Sequence, residues 1–133
     1  MEKLNLCFAH SGLFVRDIET SIKFYCNKLD FDLIHENTIN AAEGIVKVAF
    51  VRSGDCTIEL VQLPGATQRP DGLFDHIAFK VKDIDAVTTN LKKRGIVFET
   101  EEITHMPHFF NNGNKWIMFR GPDKEHLEIN EIL

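Results

Sequence analysis

The chain repeats itself. Residues 8–34 read FAHSGLFVRDIETSIKFYCNKLDFDLI, and residues 74–98 read FDHIAFKVKDIDAVTTNLKKRGIVF. His10 precedes Asp17 by seven positions, and His76 precedes Asp83 by seven. In that register Val15-Arg16-Asp17-Ile18 aligns with Val81-Lys82-Asp83-Ile84. An internal repeat constrains architecture more than any local propensity, because each copy must fold alike and share a core with the other. The chain therefore reads as one domain, 1–133, built from two modules. Module one covers about 1–63, a linker rich in proline and glycine covers about 64–73, and module two covers about 74–133.

Alternation and helical spacing supply the elements. A first strand is expected over residues 5–14, with Cys7, Ala9 and Leu13 on one face and Phe8, His10, Gly12 and Phe14 on the other. Asp17 is placed to cap a helix with its carboxylate. Ile18, Ile22, Tyr25 and Leu29 form that helix's apolar stripe. A return strand spans 31–35, and the polar stretch 37–44 reads as a loop. Strand 45–52 sets Val46, Val48 and Phe50 against Lys47, Ala49 and Val51. Strand 57–63 sets Ile58 and Leu60 against Thr57, Glu59 and Val61. Module two repeats the plan. A strand carries His76, Asp83 caps a helix with Ile84, Val87 and Leu91, and Gly95 ends it before a strand from Ile96. Residues 101–114 form a long loop, 115–120 a strand and 126–132 the last strand. The order is β-α-β-β-β, twice, which is an α+β fold. Each helix needs one apolar sheet face, so the opposite faces are left for His10, Glu59, His76 and Glu128.

Taken singly, a strand histidine is an ordinary hydrogen-bonded residue and a strand glutamate ordinarily faces water. Together the four sit at matching places in a repeat: Glu59 lies 49 positions after His10, and Glu128 lies 52 after His76. Two imidazoles and two carboxylates on one face make a divalent metal site. Neutral imidazole suits nickel, zinc, cobalt or iron, and carboxylates add hard oxygen ligands. Such a set leaves coordination positions open to a substrate oxygen. By alternation Lys47, Ala49, Lys80, Trp116, Met118, His126 and Asn130 share the metal face. Lys47 and Lys80 either bind a substrate carboxylate or phosphate or reach to water at the rim. Trp116 either walls an apolar substrate part or fills core. His105 and His108, with Phe109 and Phe110, are either a lid or ordinary loop residues.

The formal net charge of −5 offers no basic field to nucleic acid. No apolar run reaches the roughly 20 residues of a bilayer span. The N-terminal residues lack a signal-peptide core, and three cysteines without a CxxC pair suit a reducing, cytoplasmic setting.

In HSGLFVRDIETSIKFY, TIELV, DHIAFKVKDIDAV and RGPDKEHLEI, taken in order, the chain resembles the vicinal oxygen chelate superfamily. That group includes glyoxalase I, methylmalonyl-CoA epimerase, extradiol dioxygenases, and the fosfomycin and bleomycin resistance proteins. The resemblance implies paired modules around a U-shaped cup of mixed sheet with helices outside, in homodimers that build or share the sites. It places ligands for one divalent metal at His10, Glu59, His76 and Glu128, nickel or zinc first, with cobalt, manganese and iron as alternatives. It implies a lyase or isomerase of the glyoxalase I type, acting on a small α-oxygenated substrate through a metal-stabilised enediolate. Glu128 is the expected base and Glu59 the other candidate. Phe14 and Leu63 stand where glutathione-type enzymes carry arginine and asparagine, so the resemblance does not extend to glutathione. Lys47 stands where the epimerase carries a catalytic glutamate. An acyl-CoA epimerase, or a ligand-sequestering protein of the bleomycin resistance kind, are the alternatives.

Overall fold

The computed structural model describes residues 8–65, 76–107 and 112–133. Cys7, the start of the expected first strand, most of the linker, and His108, Phe109 and Phe110 lie outside the described residues. The elements come in the expected order. Module one runs β1 (Ser11–Phe14), α1 (Ile18–Lys23, continuing as a π-helical segment, Phe24–Lys28), β2 (Asp32–Ala41), β3 (Gly44–Ser53) and β4 (Cys56–Gln62). Module two runs β5 (Ile77–Lys80), α2 (Ile84–Lys93), β6 (Thr104–Met106), β7 (Asn114–Arg120) and β8 (His126–Ile132). Each module is a four-stranded mixed sheet, ordered β1-β4-β3-β2 and β5-β8-β7-β6. The first and last strands of each module run parallel, and the remaining neighbours are antiparallel.

The helices cover one face of each sheet. In module one Ala49, Val51, Ile58 and Leu60 are fully buried beneath α1, which packs on β3 and β4. In module two Ile117, Phe119, Leu127 and Ile129 take the same places. Removing about 25 cal/mol of unfavourable hydration per Å² of apolar surface makes these layers the main source of stability. The helix starts are alike but not identical. Asp83 accepts from Ala86 N–H at 3.1 Å, whereas the Asp17 carboxylate caps no backbone amide and takes the Thr20 hydroxyl at 2.7 Å. The first amide of each helix instead donates to the end of its own module's last strand: Ile18 N–H to Gln62 at 2.7 Å, Ile84 N–H to Glu131 at 3.1 Å. Gly95, at φ 89°, closes α2, with its own N–H on Lys92 O and Ile96 N–H on Leu91 O.

Three expectations change. The stretch 37–44 is the second half of β2 and its turn, pairing with β3 as far as Ala41 and Gly44. Its polarity reflects an edge strand, all ten residues of which are exposed. No strand begins at Ile96; the chain makes a single bridge at Phe98 to Phe119, and its strand comes later, at β6. The expected 101–114 loop therefore contains β6 and the start of β7.

The modules meet through α1 and the turn between β7 and β8. Asp123 accepts Arg16 N–H at 2.7 Å and the Ser21 hydroxyl at 3.4 Å, and the Tyr25 hydroxyl donates to Glu125 at 3.0 Å. Phe31 stands edge-on to Phe79, and Arg94 pairs with Asp30 at 2.8 Å. These contacts join the helix-covered side of module one to module two.

Candidate metal centre

Cross-strand register decides which side chains share the uncovered faces, since directly opposed residues project to the same side. In module one Gly12 opposes Glu59, which opposes Phe50. His10 lies two residues before Gly12, so it joins them. Its Nε2 is 3.5 Å from Glu59 Oε1, and its ring meets the Phe50 edge at 5.4 Å. In module two Ala78 opposes Glu128, which opposes Met118. His76, two residues before Ala78, puts its Nε2 3.8 Å from Glu128 Oε1. Each sheet thus carries one imidazole–carboxylate pair, at equivalent positions of the repeat.

The four expected ligands form two pairs and no larger group. Among the described residues, no three histidine, cysteine or acidic side chains gather closely enough to hold an ion. Each pair by itself fits: two ligands at about 2.0–2.2 Å from one ion stand about 3–4 Å apart. A nitrogen and an oxygen donor in each pair is also a set that divalent transition ions accept. A complete shell needs both pairs together.

Cross-strand register puts Trp116, Met118 and Lys80 on the sheet face of Glu128. Trp116 opposes Asn130, Lys80 opposes Asn130 from the parallel side, and Met118 opposes Glu128. Trp116 and Met118 are half-buried and Lys80 is exposed. Asn130 donates its amide to Glu128 Oε2 at 2.9 Å. His126 stands edge-on to His76, with ring centres 6.2 Å apart, and its Nε2 lies 3.1 Å from Glu99 Oε1, which also takes Arg120 Nε at 2.8 Å. Glu99 escaped the sequence reading because it lies in no strand and only the fold carries it to His126.

Lys47 and Ala49 do not line this face. Lys47 opposes Gln62, whose side chain caps α1, and Ala49 opposes Leu60 in the core. Alternation within β3 separates the two faces correctly, but only the pairing with β4 says which one carries Glu59; it is the face of Val48 and Phe50. His105 is likewise on the helix side, opposite Lys115, where both line a cavity of about 470 Å³ with Asp85, Thr88 and Lys92. It is an ordinary surface residue there and no lid over the pairs.

Two of the groups with displaced ionisation, Tyr25 and Glu125, meet at the module junction. Burial pushes the Tyr25 phenol well above its ordinary value, and the neighbouring Glu125 adds to the rise. Burial raises Glu125 too, against the pull of hydrogen bonds from backbone amides and from Tyr25. The thiols of Cys26 and Cys56 are free and are pushed up, chiefly by burial, which makes them poor nucleophiles. No helix among the described residues is long and apolar enough to cross a membrane.

The family described as Glyoxalase/Bleomycin resistance protein/Dioxygenase superfamily matches residues 8–129. The protein YwbC of Bacillus subtilis (strain 168) is 35% identical over 123 residues, 90% of this chain and 93% of YwbC. Among solved structures, SMU.1112c superposes with a TM-score of 0.76 at 28% identity, over 97% of this chain and all of the other. The fosfomycin resistance protein FosX from Listeria monocytogenes, solved with Mn(II) and sulfate, gives a TM-score of 0.71 at 17% identity, over 98% and 95%. That last likeness is one of fold.

Proposed function

The chain belongs to the Glyoxalase/Bleomycin resistance protein/Dioxygenase superfamily, and on that footing we propose that it is a metal-dependent lyase or isomerase moving a proton on a small α-oxygenated substrate. One observation carries the reading: a histidine–glutamate pair at the same place on each of two repeated sheets. A divalent ion held there supplies Lewis-acid polarisation of a substrate oxygen; the Mn(II) found in FosX makes manganese a candidate beside nickel and zinc. The chain's own residues do the rest. The four donors His10, Glu59, His76 and Glu128 would hold the ion. A carboxylate of the set would take the proton, since a base must lie within hydrogen-bond reach of the C–H it attacks. Trp116 and Met118 would exclude water from one side, and Lys80 would receive an anionic substrate group at the exposed edge.

Because each chain brings its donors together only in twos, we assign the complete site to a homodimer, each pair meeting one from a second copy. Phe14 and Ile39 support this, being large, apolar and exposed on the sheet face that carries Glu59. An acyl-CoA epimerase with Lys47 as a base is disfavoured, because Lys47 stands on the helix side. The sequestering reading draws on the same twofold grouping, and metal content separates the two. Elemental analysis of the purified protein, with and without chelator, is expected to find one divalent ion per chain. Hemithioacetals of several thiols would then be screened with that ion. A protein that takes up no nickel, zinc or manganese would leave the pairs structural and the enzyme reading without support.

A further inference from the structure

The cavity of about 470 Å³ on the helix side of module two lies across the sheet from His76 and Glu128. Strand register fixes its side. Lys115 opposes His105 and Glu131, and so projects from the face opposite to that of Trp116, Asn130 and Glu128. One wall is a stripe of α2: Asp85, Thr88 and Lys92 follow one another at helical spacing, and all three line the cavity. Lys115, Glu101 and Glu102 line it from the strands and the chain that leads to them. The volume is within the range of small-molecule sites, roughly 300–1,000 Å³.

Thr88 is the anomaly in that wall. It is 5% exposed, yet its hydroxyl has no hydrogen-bond partner among the described residues. It does not even make the bond open to any helical threonine, back to a carbonyl one turn earlier. A buried hydroxyl left unpaired costs stability. In the register that aligns His10 with His76, the matching residue is Ile22, an apolar side chain packed against the core. Module one thus builds the same helix stripe without that cost. A molecule that enters the cavity and bonds to the hydroxyl accounts for the threonine.

The surrounding charges say what kind of molecule. Lys92 and Lys115 bring two ammonium groups, and Asp85, Glu101 and Glu102 bring three carboxylates. Among the described residues none of these five side chains is in an ion pair. A lone anion entering here would meet three carboxylates, and a lone cation would meet two ammonium groups. A molecule with one charge of each sign finds a partner for both, and the commonest small molecules of that description are amino acids. We propose that this cavity binds a free amino acid. Lys92 and Lys115 receive its carboxylate, the acidic side chains receive its ammonium group, and the Thr88 hydroxyl donates to the carboxylate. No bond is made or broken, and the site needs no metal ion.

The test titrates each of the standard amino acids into the full chain with chelator present, read by calorimetry and by melting temperature. At least one is expected to bind saturably. The same compound without its α-ammonium group, or without its carboxylate (propionate and ethylamine in the case of alanine), is expected to bind about tenfold more weakly. Lys92→Met and Lys115→Met are each expected to weaken binding about tenfold. Thr88→Val keeps the shape and loses the hydroxyl. Its ligand-free melting temperature is expected to hold or rise while its affinity falls about two- to tenfold, and Thr88→Ser is expected to keep the affinity. Should Lys115→Met fail to fold, Lys92→Met, on the exposed surface of α2, reads the same contact. No binding by any amino acid at millimolar concentration overturns the proposal, as does unchanged affinity in Lys92→Met and Thr88→Val. Inorganic phosphate or ethylamine binding as tightly as the amino acid overturns the assignment to a molecule of both charges.

Discussion

Glu125 is a carboxyl group folded under a phenol. Its oxygens take the Asp123 N–H at 2.8 Å and the Tyr25 hydroxyl at 3.0 Å, and a β-carbon on Gly121 would collide with the carboxyl group. Burial raises its pKa above the ordinary carboxylate value. A folded pKa above the unfolded one means that the folded state holds the proton more tightly. The stabilising contribution is complete below the unfolded value, about 4.3 for glutamate, and is lost as pH rises through the raised folded value. Glu125→Gln carries no charge at any pH, so it removes that loss. Urea unfolding of both proteins from pH 4 to pH 7 is expected to show the variant gaining on wild type as pH rises. A constant difference across the range would mean that Glu125 ionises as freely folded as unfolded. Gly121→Ala is expected to destabilise at every pH, because the carboxyl must move out of contact with Tyr25. None of this was visible in RGPDKEHLEI, where Glu125 reads as a turn residue; its burial depends on α1 arriving from the other module.

At the level of elements, the repeat shows in how each helix is started. Gln62 and Glu131 occupy matching positions three residues beyond Glu59 and Glu128, and each caps its module's helix. The last strand of a module thus presents the histidine-paired glutamate on one side and a helix-capping side chain on the other. Gln62→Ala is expected to cost about 1 kcal/mol, the usual value of a lost helix cap, measured as a drop in the unfolding midpoint. An unchanged midpoint would show that water replaces the glutamine at no cost. Element order, the β-α-β-β-β repeat and the strand alternation were all legible, because apolar spacing reports directly on one covered face. Two things were not. Residues 37–41 carry too little apolar signal to mark a strand, since β2 is an exposed edge. The side of β3 that faces Glu59 was misassigned at Lys47, because alternation gives two faces without naming them; the Lys47–Gln62 and Phe50–Glu59 pairings are tertiary facts. The His–Glu pairing was legible because each histidine stands directly before its module's first strand, which runs parallel beside the last strand that carries the glutamate.

At the scale of the whole molecule, the exposed side of module one is hard to explain for a chain working alone. Ile39 is 46% exposed in an edge strand, beside the sheet face that carries the His10–Glu59 pair. An uncovered edge of this kind invites pairing, and in the proposed homodimer a second copy would offer both cover and a second histidine–glutamate pair. If one contact does both jobs, metal binding and association are linked: whatever Mn(II) gains from the dimer, the dimer gains from Mn(II). Sedimentation over a dilution series is expected to show the dimer persisting to lower protein concentration when Mn(II) is present than after chelation. Ile39→Glu puts a charge on the β2 edge and is expected to weaken the dimer and Mn(II) binding together, with the circular dichroism of each chain unchanged. A variant that becomes monomeric yet binds Mn(II) as tightly as wild type would place a whole site within one chain. It would then require the two pairs to approach each other by a movement of the modules about the junction between Tyr25 and Glu125. The proposed dimer needs no such movement, which makes it the simpler reading of two separate histidine–glutamate pairs.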